Sequence, residues 1–169
     1  MTKPAPGTGT RAMDAETRAD RADHGAIRLW LRMLATNRLV ETRTRRLLQE
    51  RYATTLPRFD LMAQLERFPQ GLRMNELSKR MMVTGGNVTG ITDQLAAEGL
   101  VDRVDVEGDR RAYRVRLTAK GRKLFNEMAR QHEGWIVDAF AALSDKEIAL
   151  LHRLLGRVKE HSRAAEPTA

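Results

Sequence analysis

The apolar residues of this chain change period at Gly99, and that change constrains the fold more than any other feature. Before it, Val88, Ile91 and Leu95 recur at helical spacing, the pattern of a helix with one buried face. After it, Tyr113, Val115 and Leu117 alternate with Arg114 and Arg116, the pattern of a strand with one face inward. Leu100, Val101 and Val104 read as the partner strand. Gly99 itself suits the position just past a helix end, where the chain turns into a conformation that a side chain disfavours. The chain therefore holds a helix that gives way, at a glycine, to a two-stranded hairpin. The hairpin tip, Glu107, Gly108, Asp109, Arg110 and Arg111, is charged.

The flanking segments are helical. From His24 to about Tyr52, Ile27, Trp30, Leu31 and Leu34 form a stripe continued by Val40, Leu47 and Leu48, with six arginines between. Pro57 suits the first turn of a second helix carrying Phe59, Met62 and Leu65, which stops before Pro69 and Gly71. A short helix follows from Asn75 to Met81, with Leu77 and Met81 inward. Thr84 is placed to cap the next, Gly85 to Glu98, by accepting from a free first-turn N–H. Beyond the hairpin, Thr118 caps a helix whose stripe is Leu124, Met128, Trp135, Ala139 and Leu143. Ser144 and Glu147 form a capping box for a last helix carrying Ile148, Leu151, Leu155 and Val158. No internal repeat is visible.

Composition narrows what such a chain does. Of 169 residues, 41% are hydrophobic but only 5% aromatic, so the core is aliphatic and suits helices. The formal net charge is +8, which favours a polyanionic partner, nucleic acid above all, without deciding it. There is no cysteine, which removes disulfides, cysteine-based zinc sites and thiol sensing. No apolar run approaches the roughly 20 residues that span a bilayer, and the N-terminus lacks a secretion signal's apolar core. A cytoplasmic protein without membrane contact is expected. Residues 1–23 and 164–169, rich in small, polar and charged residues, are expected to be flexible tails.

Helix, tight turn, helix and a hairpin with a basic tip is the order of a winged helix-turn-helix. The expected fold class is mostly α with a small β-hairpin wing and an α-helical dimerisation region. A major groove roughly 12 Å wide admits one helix, whose exposed first turns reach the bases. Here that places Thr84, Gly85, Gly86, Asn87, Thr89, Gly90 and Asp93 as candidate DNA contacts. Asn87 matches an adenine edge best, and Thr84 and Thr89 suit a phosphate or a thymine methyl. Glycine costs about 1 kcal/mol in a helix interior, so three of them need a reason. Close approach of backbone to DNA is one; a loose turn leading into a frayed first turn is the other. At the tip, Arg110 and Arg111 fit an adjacent minor groove, with Asp109 holding one of them. An ordinary solvated turn has the same composition.

The stretch LSKRMMVTGGNVTGITDQLAAEGLVDRVDVEGDRRAYRVRLTAKG resembles the signature of the MarR (multiple antibiotic resistance regulator) family, which shows ELA-x-x-L-x-V-S, T-V-T-x-x-x-D-x-L, E-x-G-L-V, D-x-R and L-T-x-x-G. The likeness spans roughly residues 27–160. It implies that Gly85 to Asp93 lie in the major groove and that Asp109 and Arg111 match the wing D-x-R. It also implies that the first helix and the last two interlock with a second copy. By this likeness residues 24–163 form the domain, with dimerisation helices at 24–55 and 119–163 and the DNA-binding lobe at 56–118. Many members carry Arg where this chain has Gly90, so a base or phosphate contact common in the family is absent here.

The terminal stripes argue for a homodimer independently, because a small lobe cannot cover them. A twofold dimer would present two reading helices about one DNA turn apart to an inverted repeat on a double-stranded operator. The expected function is a ligand-responsive repressor. Trp30, Met33, Arg58, Phe59, Met62 and Trp135 are the candidate effector residues, although Met and Trp on such stripes are more often core. TGGNVTGITDQL and HEGW resemble a branch tied to aromatic-acid and hydroxycinnamate catabolism, which implies an aromatic acid or its coenzyme A thioester as effector. Arginines of the first helix suit coenzyme A phosphates, or simply form a solvated basic face. Catalysis is not expected. His24, His132, His152 and His161 sit in no metalloprotease motif or beside a nucleophile, and the glycines near Gly85 lack a phosphate loop's lysine. No cofactor or metal is expected. A non-sensing, architectural nucleic-acid-binding winged helix is the alternative.

Overall fold

The computed structural model describes residues 25–81, 88–106 and 109–165, with the backbone alone at 106 and 109–112. Its elements run α1 (Gly25–Tyr52), α2 (Leu56–Glu66), β1 (Leu72–Arg73), α3 (Met74–Arg80), α4 (Val88–Ala97), β2 (Val101–Val106), β3 (Asp109–Leu117), α5 (Ala119–Ala139) and α6 (Asp145–Ala164). This is the expected class, mostly helical with a small antiparallel sheet. The chain divides after Arg43, inside α1.

Gly25–Arg43, taken alone, is a helical segment with Ile27, Leu29, Trp30, Met33, Leu34 and Leu39 exposed. The unit from Thr44 onward holds the core. Leu48, Leu61, Leu65, Leu77, Leu95 and Val115 have no exposed surface, and Met62 and Met128 join them. These side chains come from α1's last turns, α2, α3, α4, β3 and α5, so the core lies where the helices meet the sheet.

Capping chemistry sets several boundaries. The Glu76 carboxylate accepts the Arg73 N–H at 2.8 Å at the start of α3. The Thr118 hydroxyl accepts the Gly121 N–H at 3.0 Å at the start of α5. At α6 the Glu147 carboxylate accepts from both the N–H and the hydroxyl of Ser144, at 2.8 and 2.7 Å. These two bonds hold the Glu147 carboxyl below its usual range. Gly99, at φ +69°, closes α4. The Gly99 N–H reaches the Ala96 carbonyl at 2.9 Å and the Leu100 N–H the Leu95 carbonyl at 2.9 Å. Leu95 and Leu100, both buried, complete the hydrophobic contact of this Schellman ending.

The sheet has the order β1-β3-β2. Val101 faces Leu117 and Arg103 faces Val115, while Asp102 stands opposite Arg116 on the other face, and register shifts between Asp105 and Val106. The two-residue β1 was not expected from sequence. Leu72 pairs with Val115 and Arg73 with Arg114, and the Gly71 carbonyl accepts from Arg114 Nη1 at 3.0 Å. Gly71, at φ +81°, is needed here: a Cβ would lie 2.7 Å from the Val115 oxygen. On α5 the buried face is Gly121, Phe125, Met128 and Trp135. Leu124, expected inward, is only half-buried, because Phe125 takes the place against α2.

Candidate nucleic-acid interface

The second helix of the pair, α4, buries Ile91, Thr92 and Leu95 and turns Thr89, Asp93, Gln94 and Ala97 to solvent. A buried hydroxyl would cost stability without a partner. Thr92 solves this by donating to the Val88 carbonyl at 2.7 Å, with the Met74 sulfur of α3 at 3.9 Å. The inner face of α4 is packed into the core through Ile91 and Leu95, and its outer face is exposed.

Of the residues nominated from sequence, Thr89 and Asp93 lie on that outer face, one turn apart, and Gly90 is half-buried. Asp93 is ion-paired with Arg103 of β2. The Arg103 guanidinium also lies 5.1 Å over the Tyr113 ring of β3. A carboxylate would repel a phosphate backbone, and Arg103 offsets that charge while tying the wing strands to α4. Thr84, Gly85, Gly86 and Asn87 lie outside the described residues. Asp109, Arg110 and Arg111 begin β3, and their side chains also lie outside the description. Sequence reasoning passed over Gln94, whose amide suits an adenine edge, and Arg103. The signal for Gln94 was its place one residue beyond Asp93 on the same outward face.

α4 sits in a frame of polar ties. Glu98, just past its last turn, pairs with Arg58 of α2. Lys120 Nζ donates to the Glu98 carbonyl at 2.8 Å, and the Thr118 hydroxyl to the Gly99 carbonyl at 2.8 Å. Arg122 of α5 pairs with Glu66 of α2 at 2.6 Å.

The nominated effector residues fall in two places. Trp30 and Met33 are exposed on Gly25–Arg43. In the second unit Phe59, Met62 and Trp135 are buried in the core. Phe59 stacks 5.5 Å from Phe125 and 4.9 Å from His132, and His132 lies 6.3 Å from Trp135. Arg51 stands 5.6 Å over the Trp135 ring and donates to the Gln131 side chain at 2.9 Å. Burial lowers the His132 imidazole below its usual value, favouring the neutral ring. Burial, and then the Glu127 carboxylate, raise the Tyr52 hydroxyl. Arg58 ends in its pair with Glu98, and its Nε is buried without a hydrogen-bond partner. Phe125 and His132 were not singled out from sequence as parts of this aromatic cluster. Among the described residues, no three His, Asp or Glu side chains stand together as a metal site, and no helix is long and apolar enough to cross a membrane.

Comparison with known proteins places this geometry. A profile described as the MarR family matches residues 54–112. The HTH-type transcriptional regulator PecS of Dickeya dadantii is 30% identical over 113 residues, covering 66% of this chain and 68% of PecS. The HTH-type transcriptional repressor YetL of Bacillus subtilis is 32% identical over 89 residues, covering 53% of each chain. Among solved structures, a MarR family transcriptional regulator from Silicibacter pomeroyi superposes with a TM-score of 0.72 at 30% identity, covering 84% of this chain and 99% of that one. Sco3205 of Streptomyces coelicolor, a MarR family regulator solved in complex with DNA, shares the fold with a TM-score of 0.71 at 23% identity, covering 89% and 94%.

Proposed function

Because the chain belongs to the MarR family, we propose that it is a cytoplasmic, ligand-responsive transcriptional repressor that binds an inverted-repeat operator as a homodimer. The observation that carries this is α4, fixed on its inner face by Leu95 and Thr92 and presenting Thr89, Asp93 and Gln94 outward beside a strand pair rich in arginine. Asn87 and the glycines before it are the proposed major-groove contacts, and Arg110 and Arg111 the proposed contacts to the neighbouring minor groove. The DNA-bound structure of Sco3205 supports a DNA partner, and the likeness to the transcriptional repressor YetL supports repression.

Dimerisation is supported by α6, which buries none of its residues within the chain while exposing Ile148, Leu150, Leu151, Leu154 and Val158. Exposed stripes of this kind are normally interfaces. The effector is an aromatic acid or its coenzyme A thioester, and Arg58, Phe59, Met62 and Trp135 are its proposed contacts in the second unit. The aromatic character of Phe59 and Trp135 and the cations Arg51 and Arg58 nearby in sequence or space support an aromatic anion. On binding, the ligand shifts the population toward a lobe spacing that no longer fits the operator.

The test is fluorescence anisotropy on DNA flanking the protein's own gene, against a scrambled duplex, with and without a panel of aromatic acids and their thioesters. Selective binding released by one ligand class is the expected result. Equal binding to both duplexes would instead support a non-sensing architectural protein.

A further inference from the structure

Glu98 follows the last turn of α4, and two of its polar groups are engaged by different elements. Its carboxylate pairs with Arg58 of α2, whose side chain is only 14% exposed. Its carbonyl accepts from Lys120 of α5 at 2.8 Å. The next two carbonyls are also held by α5's cap residue: Gly99 by the Thr118 hydroxyl at 2.8 Å and Leu100 by the Thr118 N–H at 3.1 Å. Gly121 shows how close this joint is, since a Cβ there would lie 1.9 Å from the Leu100 oxygen. Arg122 and Glu66 tie the same turn of α5 to the end of α2.

The joint lies at one end of α4, and of the outward residues Thr89, Asp93 and Gln94 it is Thr89 that stands farthest from it. Thr89 is nine residues from Glu98, about 14 Å along a helix rising 1.5 Å per residue. A tilt of about 10° at the joint would move that end by about 2 Å, enough to break a hydrogen bond to a base edge. We propose that Glu98 is a positioning residue for DNA reading: through Arg58 and Lys120 it sets the angle of α4 against α2 and α5. The inference rests on the reading of α4 as the DNA-facing helix. It gives Arg58 a role that needs no effector.

Positioning and phosphate contact predict different behaviour. Loss of a phosphate contact weakens operator and non-specific binding alike and lowers the salt slope. Loss of positioning weakens operator binding alone. Operator and scrambled duplexes are titrated at several salt concentrations with wild-type protein, Glu98→Gln, Arg58→Met and the double variant, each also melted thermally. Glu98→Gln is expected to lower the operator-to-scrambled ratio about tenfold, with the salt slope and scrambled affinity unchanged. The double variant is expected to lose no more selectivity than either single one. A variant without a cooperative melt is replaced by Glu98→Asp, which keeps the charge but shortens its reach and is expected to lose selectivity in the same direction. Unchanged selectivity in Glu98→Gln, equal losses on both duplexes, or additive losses in the double variant overturn the inference. Equal binding of both duplexes by the wild-type protein overturns the DNA-reading assignment and this inference with it.

Discussion

α4 and α6 are both amphipathic helices of this chain, yet they end in opposite circumstances. α4 spans 10 residues and buries Ile91, Thr92 and Leu95 among side chains of its own unit. α6 spans 20 residues, has a capping box at its start, and buries none. Its exposed leucines are no less apolar than those of α4. The difference teaches that an apolar stripe states a need for cover and not where the cover comes from. For α4 the cover is α2, α3 and the sheet; for α6 the proposed cover is a second copy of the chain.

Paired substitutions can break this contrast. Leu95→Ala should cost about 2–5 kcal/mol, because the cavity forms in a closed core, and should lower the melting temperature at any protein concentration. Leu151→Glu with Leu154→Glu should leave the lobe core intact but convert dimer to monomer in sedimentation equilibrium, with stability becoming independent of concentration. If the α6 variant instead lowers stability while remaining dimeric, the comparison fails, and the stripe serves the chain's own core. Gly121→Ala comes next. With the Leu100 oxygen 1.9 Å from the added Cβ, backbone must shift, and a loss of about 1–3 kcal/mol is expected, seen in denaturant unfolding. An equivalent Gly134→Ala, where nothing lies within 4 Å, should be neutral or stabilising.

The smallest effect sharpens the contrast through pH. His132, in the aromatic cluster, is held below its usual value of 6.5 by burial. A folded value below the unfolded one stabilises the protein above the unfolded value, and that contribution fades as pH falls through the folded value. The protein should therefore lose stability on acidification below about 6.5, and His132→Phe should flatten the dependence. Melting curves across that range test it; an unchanged slope in His132→Phe would place the acid sensitivity elsewhere.

Much of the fold was legible because its signals are local. Gly99, Thr118 and the Ser144–Glu147 box mark helix ends within a few residues of chain, and each does what its chemistry predicts. The inward residues Ile91, Leu95, Val115 and Leu117 followed from period alone. What escaped depends on distant partners. Strand β1 has two residues, too few for any period, and exists because β3 offers a free edge beyond Gly71. On α5, Leu124 and Phe125 are adjacent and both apolar, so sequence could not decide which would meet Phe59. The outward place of Asp93 followed from helical period, but its pairing with Arg103 joins two elements across a turn. The pairing of Arg58 with Glu98, 40 residues away, has no local signal either.

Gly121 also sets a rule for anyone recombining this protein. A chimera that joins residues 56–118 to helices from another protein must choose a seam. A seam at Thr118 keeps every residue of the lobe yet hands the close approach to whatever side chain the donor supplies three positions later. The lobe would then be complete in sequence and misaligned in space. Crossing over after Arg122 keeps the glycine, Lys120 and the Glu66 pair together, so the transplanted part carries its own alignment.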